Sequence, residues 1–182
     1  MRITLVLPFV VLALAACARS QSGPESASQP VTMRVGTNAG NLTVATTSVN
    51  AANVSVVNAP AARVWQTLPS VFSALRVPVT TLVSNDMLIG NYRAKVRREL
   101  GAAPLSRYLS CGSGSGGQNA DTYDVTLTLL TQVTGGTGES SKVITTVEAN
   151  AVSASFGGAP VPCTTTGDLE TRIADMIRER LR

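Results

Sequence analysis

"TYDVTLTLLTQV", Thr122 to Val133, is the stretch whose reading decides the fold. Tyr123, Val125, Leu127 and Leu129 alternate with Asp124, Thr126 and Thr128. Successive side chains on a strand point to opposite faces, so this two-residue repeat predicts a half-buried strand. Val143, Thr145, Val147 and Ala149 repeat the pattern. They predict the hairpin partner, with its turn in the glycine-rich stretch Gly135 to Gly138.

Toward the C-terminus the period changes to that of a helix. Thr166-Gly167-Asp168 starts it, with acidic residues in the first turn. Leu169, Ile173, Met176, Ile177 and Leu181 form one apolar face, while Arg172, Asp175, Arg178, Glu179 and Arg182 lie mostly elsewhere. Arg178, Arg180 and Arg182 suit the negative end of the helix dipole.

Toward the N-terminus, "RAKVRREL" (93–100) reads either as a strand alternating basic and apolar residues or as a helix. Pro104 to Leu109 predicts a short helix. Val77 to Val83 and Met87 to Tyr92 predict strands joined by a turn at Ser84-Asn85-Asp86. Asn58-Ala59-Pro60 opens a helix, since proline suits a first turn. Val64, Leu68, Val71, Phe72 and Leu75 recur at helical spacing with Trp65 beside them, and Pro69 predicts a kink or a short second helix. Val31, Met33 and Val35, then Leu42 and Val44, alternate around the turn residues Asn38 to Asn41, and Asn53 to Val57 offers another strand. The fold class expected is α+β: an antiparallel sheet with a kinked helix and a C-terminal amphipathic helix on one face, as a single domain over 31–182.

This element order is similar to that of the helix-grip-like domains of the accessory lipoprotein in the bacterial outer-membrane barrel-assembly machinery. The likeness spans roughly residues 58–182. It is carried by the Trp65-bearing helix, the Val77–Tyr92 hairpin, the two later strands and the terminal helix.

The first residues supply an address. Met1-Arg2 precedes an almost wholly apolar run from Ile3 to Ala16. A spanning helix needs roughly 20 apolar residues, so the run has the length of a secretory signal instead. Leu14-Ala15-Ala16-Cys17 resembles the lipobox of bacterial lipoproteins. The resemblance implies that Cys17 carries a lipid and that the signal, 1–16, is cut before it. The alternative is an ordinary signal peptide that happens to contain a cysteine. Each buried CH₂ adds about 0.8 kcal/mol, so two or three acyl chains would hold the protein at a membrane almost permanently. Ala18 follows the cysteine; in enterobacterial members of that family Asp there commonly means retention at the inner membrane, so the outer membrane is expected. Residues 17–30, including "ARSQSGPESASQP", lack periodicity and large apolar residues. They read as a lipidated flexible tether reaching roughly 20 Å.

Export also bears on Cys111 and Cys163. They would meet an oxidising compartment and are expected to pair, with Cα atoms about 4.4–6.8 Å apart. The rival is a metal or redox pair, against which stand the lack of C-x-x-C and of any histidine. Gly112-x-Gly114-x-x-Gly117 is a literal dinucleotide fingerprint, but it follows a cysteine and precedes a strand rather than opening a helix. No cofactor and no metal site are therefore expected.

Arg93, Lys95, Arg97, Arg98 and Arg107 are the basic concentration, with Glu99 among them. They read as a solvated face near a sheet edge, or as a contact with anionic headgroups. The formal charge of +4 is modest, and nucleic acid is not expected as a partner of an exported, anchored chain. Without histidine, neither Ser–His–Asp nor Cys–His catalysis can be built. Asp121 and Asp124 flank Tyr123 and could pair with another acid, as hydrolases of sugars require, but Asp121 reads as a turn residue and Asp124 as the solvent side of the strand. Lys95 and Lys142, the only lysines, sit in no S-x-x-K motif. The function expected is a non-enzymatic envelope lipoprotein, structural or accessory to assembly. It would meet the membrane through Cys17 and an envelope protein as partner. The alternative is a module binding a small apolar ligand between sheet and helix.

Overall fold

The computed structural model describes residues 33–37, 40–44, 52–136, 138–155 and 157–182. The signal at 1–16, Cys17, the tether at 17–30, Val31 and the turn positions Asn38 and Ala39 lie outside them.

In chain order the elements are β1 (Met33–Thr37), β2 (Gly40–Val44), β3 (Asn53–Val57), α1 (Ala61–Ala74), β4 (Thr81–Val83), β5 (Leu88–Arg97), β6 (Glu99–Leu100) and β7 (Ala103–Pro104). A 3₁₀ turn at Leu105–Arg107 leads to β8 (Leu109–Ser110), β9 (Ser113–Gly114), β10 (Gly117–Gln118), α2 (Asn119–Thr122), β11 (Asp124–Gly135), β12 (Ser141–Ser153), β13 (Gly157–Thr165) and α3 (Asp168–Leu181).

The class is mixed α+β, built on one antiparallel sheet. β11 lies at its centre and pairs with β12 from Asp124↔Val152 to Gly135↔Ser141, so the expected hairpin is the core of the molecule. The other edge of β11 takes β5. The free edge of β12 is shared: β3 pairs along Ser141–Thr145, and β13 along Ala149–Ser153. "RAKVRREL" resolves as the end of β5 followed by a turn into β6. The predicted strand over 77–83 is confined to Thr81–Val83, and the predicted helix near 104–109 is only the 3₁₀ turn.

α1 and α3 pack on each other and on the sheet, α1 against β5, β11 and β12 and α3 against β3 and β12. Val125, Leu127, Leu129 and Val133 share the inward face of β11 and join Leu68, Phe72, Leu169, Ile173 and Ile177 in one buried cluster. Trp65 is half-buried and packs against it. α1 runs through Pro69 as one element, so no second helix begins there. Val64 and Leu68 before the proline, and Val71 and Phe72 after it, are all buried. Continuous burial on both sides offsets the lost backbone bond, worth about 3 kcal/mol with the ring clash.

β13 has no counterpart among the expected strands. Gly157, Gly158, Pro160 and Pro162 hide it, and its side chains from Gly157 to Pro162 are exposed. Proline is tolerated where a strand has a free edge, and β13 pairs on that side only at Thr164↔Ser110 and Thr165↔Leu109.

Within β5 an extra residue stands opposite Thr128, between Asn91↔Leu129 and Ala94↔Leu127. Buried Asn91 organises this bulge: its Oδ1 accepts from the Arg93 N–H at 2.8 Å, and its Nδ2 donates to the Pro78 carbonyl at 2.7 Å. The bulge shifts the later residues of β5 by one place, so that Lys95 and Arg97 stand opposite Thr126 and Asp124.

Candidate functional site

Cys111 and Cys163 are joined by a disulfide, with Cα atoms 4.2 Å apart. That is slightly shorter than the expected span and well under the limit of about 7 Å for bridging. Both residues are buried. The bond secures the short β8–β13 ladder, to which Thr166 adds an N–H bond to the Tyr108 carbonyl at 2.9 Å and a hydroxyl bond to the Arg107 carbonyl at 2.8 Å. Together these fix the entrance of α3.

The glycine loop that follows Cys111 forms the small β9–β10 hairpin, with Gly114 opposite Gly117. It is exposed, and it leads into α2, a single helical turn. Asn119 ties its base, donating from Nδ2 to the Cys111 carbonyl at 3.1 Å and from its N–H to the Gly112 carbonyl at 3.0 Å. One turn of helix presents no extended dipole to a pyrophosphate.

The residues weighed for catalysis are held in structural contacts. Asp121 Oδ1 accepts the Ser106 N–H at 2.8 Å. Asp124 pairs with Arg97 at 3.4 Å on the surface. Lys95 Nζ donates to Thr126 Oγ1 at 2.6 Å, and Lys142 stands on β12 opposite Val56 and Thr134.

The basic stretch is partly neutralised from outside itself. Arg97 meets Asp124, Arg107 meets Asp168 at 3.8 Å, and Glu99 is taken by Arg76 at 3.1 Å. All these pairs are more than half exposed or nearly so, where ion pairs contribute only about 0–1 kcal/mol. Three of the five basic residues, Arg93, Lys95 and Arg97, alternate along the exposed side of β5. Arg93 stands at the bulge, Lys95 and Arg97 on β5, Arg98 at the turn into β6, and Arg107 beside α3.

Glu170 escaped the sequence reading. It lies at the third position of α3, only 2% exposed, and Thr165 Oγ1 reaches its two carboxylate oxygens at 2.9 and 3.1 Å. Burial pushes its carboxyl above the usual range. Its own backbone N–H and the Thr165 hydroxyl pull the other way, and Asp168 adds to the rise. Thr165 stands five residues ahead of Glu170, not the three of a capping box, so no sequence signal marked the pair.

The sheet face opposite the helices carries the candidate interaction surface. The ladder places Val83, Leu88, Gln132, Ile144 and Val54 in one row across four strand pairings. Leu130 and Tyr92 sit beside this row and form a second, smaller apolar cluster with Leu88 and Val83. Val54 is 50% exposed and Val56 55%. At the sheet's β3 edge an open depression of about 290 Å³ is lined by Val56, Val57, Asn58, Arg178, Leu181 and Arg182. It lies at the outer end of α3, away from the helix–sheet interior where an enclosed apolar ligand would sit.

Among the described residues no helix is long and apolar enough to cross a membrane, and no group of three His, Cys, Asp or Glu could hold a metal ion. No protein-family model matches the chain, and no curated protein matches it.

Proposed function

We propose that this chain is a lipid-anchored lipoprotein of the bacterial cell envelope, with a non-enzymatic structural or assembly-accessory role. Cys17 carries the lipid, the tether at 17–30 sets the folded part off from the membrane, and the anchored face is the periplasmic side of the outer membrane. The observation that carries this reading is the buried disulfide in a chain whose start resembles a lipoprotein signal. Structural disulfides persist in oxidising compartments and are rare in the cytosol.

We read the sheet with α1 and α3 side by side as helix-grip-like, and the contacts of the two helices with each other and of both with β12 support that reading. An accessory role needs a surface for an envelope protein rather than a reacting centre. The β3 end of the sheet suits such a role, since Val54 and Val56 are about half exposed there and an exposed apolar patch marks a contact surface. Fractionation of cells making the parent or Cys17→Ser tests the proposal. The parent should sediment with membranes and require detergent for release, and the variant should leave that fraction. A parent protein found soluble in the cytoplasm would overturn it.

A further inference from the structure

A sheet edge offers unpaired N–H and C=O groups to any strand that meets it, and proteins protect their edges with charge, proline, bulges or short length. β13 carries Pro160 and Pro162, the outer side of β5 has its bulge with Arg93 and Lys95, and β4 is only three residues long. β3 has none of these devices apart from being short. Its five residues, Asn53 to Val57, include no charge and no proline, and among the described residues they pair only with β12. Val54 and Val56 stand about half exposed on it.

The backbone of β3 is turned the right way to receive a strand. The Gly136 N–H donates to the Ser140 carbonyl at 3.0 Å, so Ser140 directs its backbone groups to β11. By the alternation of an antiparallel ladder, Lys142 and Ile144 do the same. Their partners Val56 and Val54 therefore turn N–H and C=O away from β12, toward the open edge. Arg178 agrees with this direction, since its Nη2 donates to the Val56 carbonyl at 3.1 Å. That bond closes one end of the edge and leaves it the N–H of Val56 and both backbone groups of Val54. The closed end is cationic: Arg178 and Arg182 line the depression beside Val56, against the single carboxylate of Asp175 that meets Arg178 at 2.7 Å.

We propose that β3 takes an extended segment of another envelope protein as an added strand, with an apolar side chain beside Val54 and a carboxylate against Arg178 and Arg182. This pairing rests on the accessory role proposed above and names the form its partner takes. In strand addition the backbone bonds supply attachment and alternate side chains supply selectivity. A second copy of this chain fits less well. Two β3 strands paired antiparallel about Ser55 would aim each Val54 N–H at a Val56 carbonyl that Arg178 already occupies, and β3 carries no carboxylate for Arg182.

The test is photocrosslinking in cells that make the protein naturally, with Val54→p-benzoylphenylalanine or Val56→p-benzoylphenylalanine in the full chain, followed by fractionation and peptide mapping. Both probes should reach one segment of one other protein, at sites about two residues apart, because side chains repeat with that period along a strand. With the probe at position 56, Val54→Pro should lower the yield at least about fivefold, since proline has no N–H to offer the added strand. The lost N–H faces the open edge, so the β12 ladder keeps its bonds, and amide protection of β11 reports that the sheet remains folded. Val54→Thr keeps the N–H and should stay within about twofold of the parent. Arg182→Glu should lower the yield at least about threefold by setting like charge against the segment's carboxylate; an unchanged yield would overturn that contact. Crosslinks only to a second copy, crosslinks scattered over unrelated segments, or equal yields from Val54→Pro and Val54→Thr with β11 protected would overturn strand addition. So would a membrane-bound protein whose probes reach no other chain, and the anchor would then still stand. A protein found in the soluble cytoplasm would overturn both.

Discussion

Cys163 and Glu170 stand on either side of the entrance to α3, and each makes a separate prediction. The disulfide closes a loop of 52 residues, for which the chain-entropy account gives about 4 kcal/mol. Cys163→Ala should therefore lower unfolding free energy in urea by about 2–5 kcal/mol. A loss under 1 kcal/mol would mean that the β8–β13 ladder holds the helix entrance without the bond. Glu170 makes the opposite kind of contribution at neutral pH. Its folded pKa lies above the unfolded value of about 4.3, so the stability of the protonated form is fully present below that value and is lost as pH rises through the folded pKa. Glu170→Gln cannot ionise. Its Tm relative to the parent should rise between pH 4 and pH 7, and a difference that does not change with pH would contradict the assigned burial effect. The pairing of Cys111 with Cys163 was legible from cysteine count and an expected export. The burial of Glu170 was not, because a first-turn glutamate ordinarily faces water.

At the scale of elements, packing decided what local propensity left open. The β11–β12 hairpin and α3 were legible because their apolar periods are long and unbroken. Pro69 failed to divide α1 because the core face continues through it, and β13 was missed because its glycines and prolines lie along a largely free edge. "RAKVRREL" was ambiguous because its alternation from Arg93 to Arg97 is short and the turn at Arg98, with φ 66°, ends it. Gly90 carries a test of how closely β5 and β11 approach. A Cβ there would meet the Leu129 carbonyl oxygen within any permissible contact and lie 2.8 Å from Leu130 Cδ2. Gly90→Ala must separate the strands at the middle of the sheet. It should destabilise by about 1–3 kcal/mol, as overpacking does, when measured by thermal or urea unfolding. A neutral effect would show that β5 is not seated as closely as the ladder indicates.

For the whole molecule, low charge density, the absence of histidine and the N-terminal run all argue for an address more than for a reaction. Buried Asn91 and Glu170 are held by loop and helix-start contacts, Thr131 and Thr145 face each other across the sheet, and exposed Val54 and Val56 lie on the edge strand β3. A surface for another protein has no required residue spacing and so is not legible in a sequence, whereas a lipidation signal has one. The central claim is the anchor at Cys17, and it is tested most directly by metabolic labelling with an alkyne fatty acid in a bacterial host. The parent should carry the label, and mass spectrometry should find an N-terminal peptide beginning at lipidated Cys17. Cys17→Ser should carry none. An unlabelled parent that retains residues 1–16, or a Cys17→Ser variant labelled as strongly as the parent, would contradict the account.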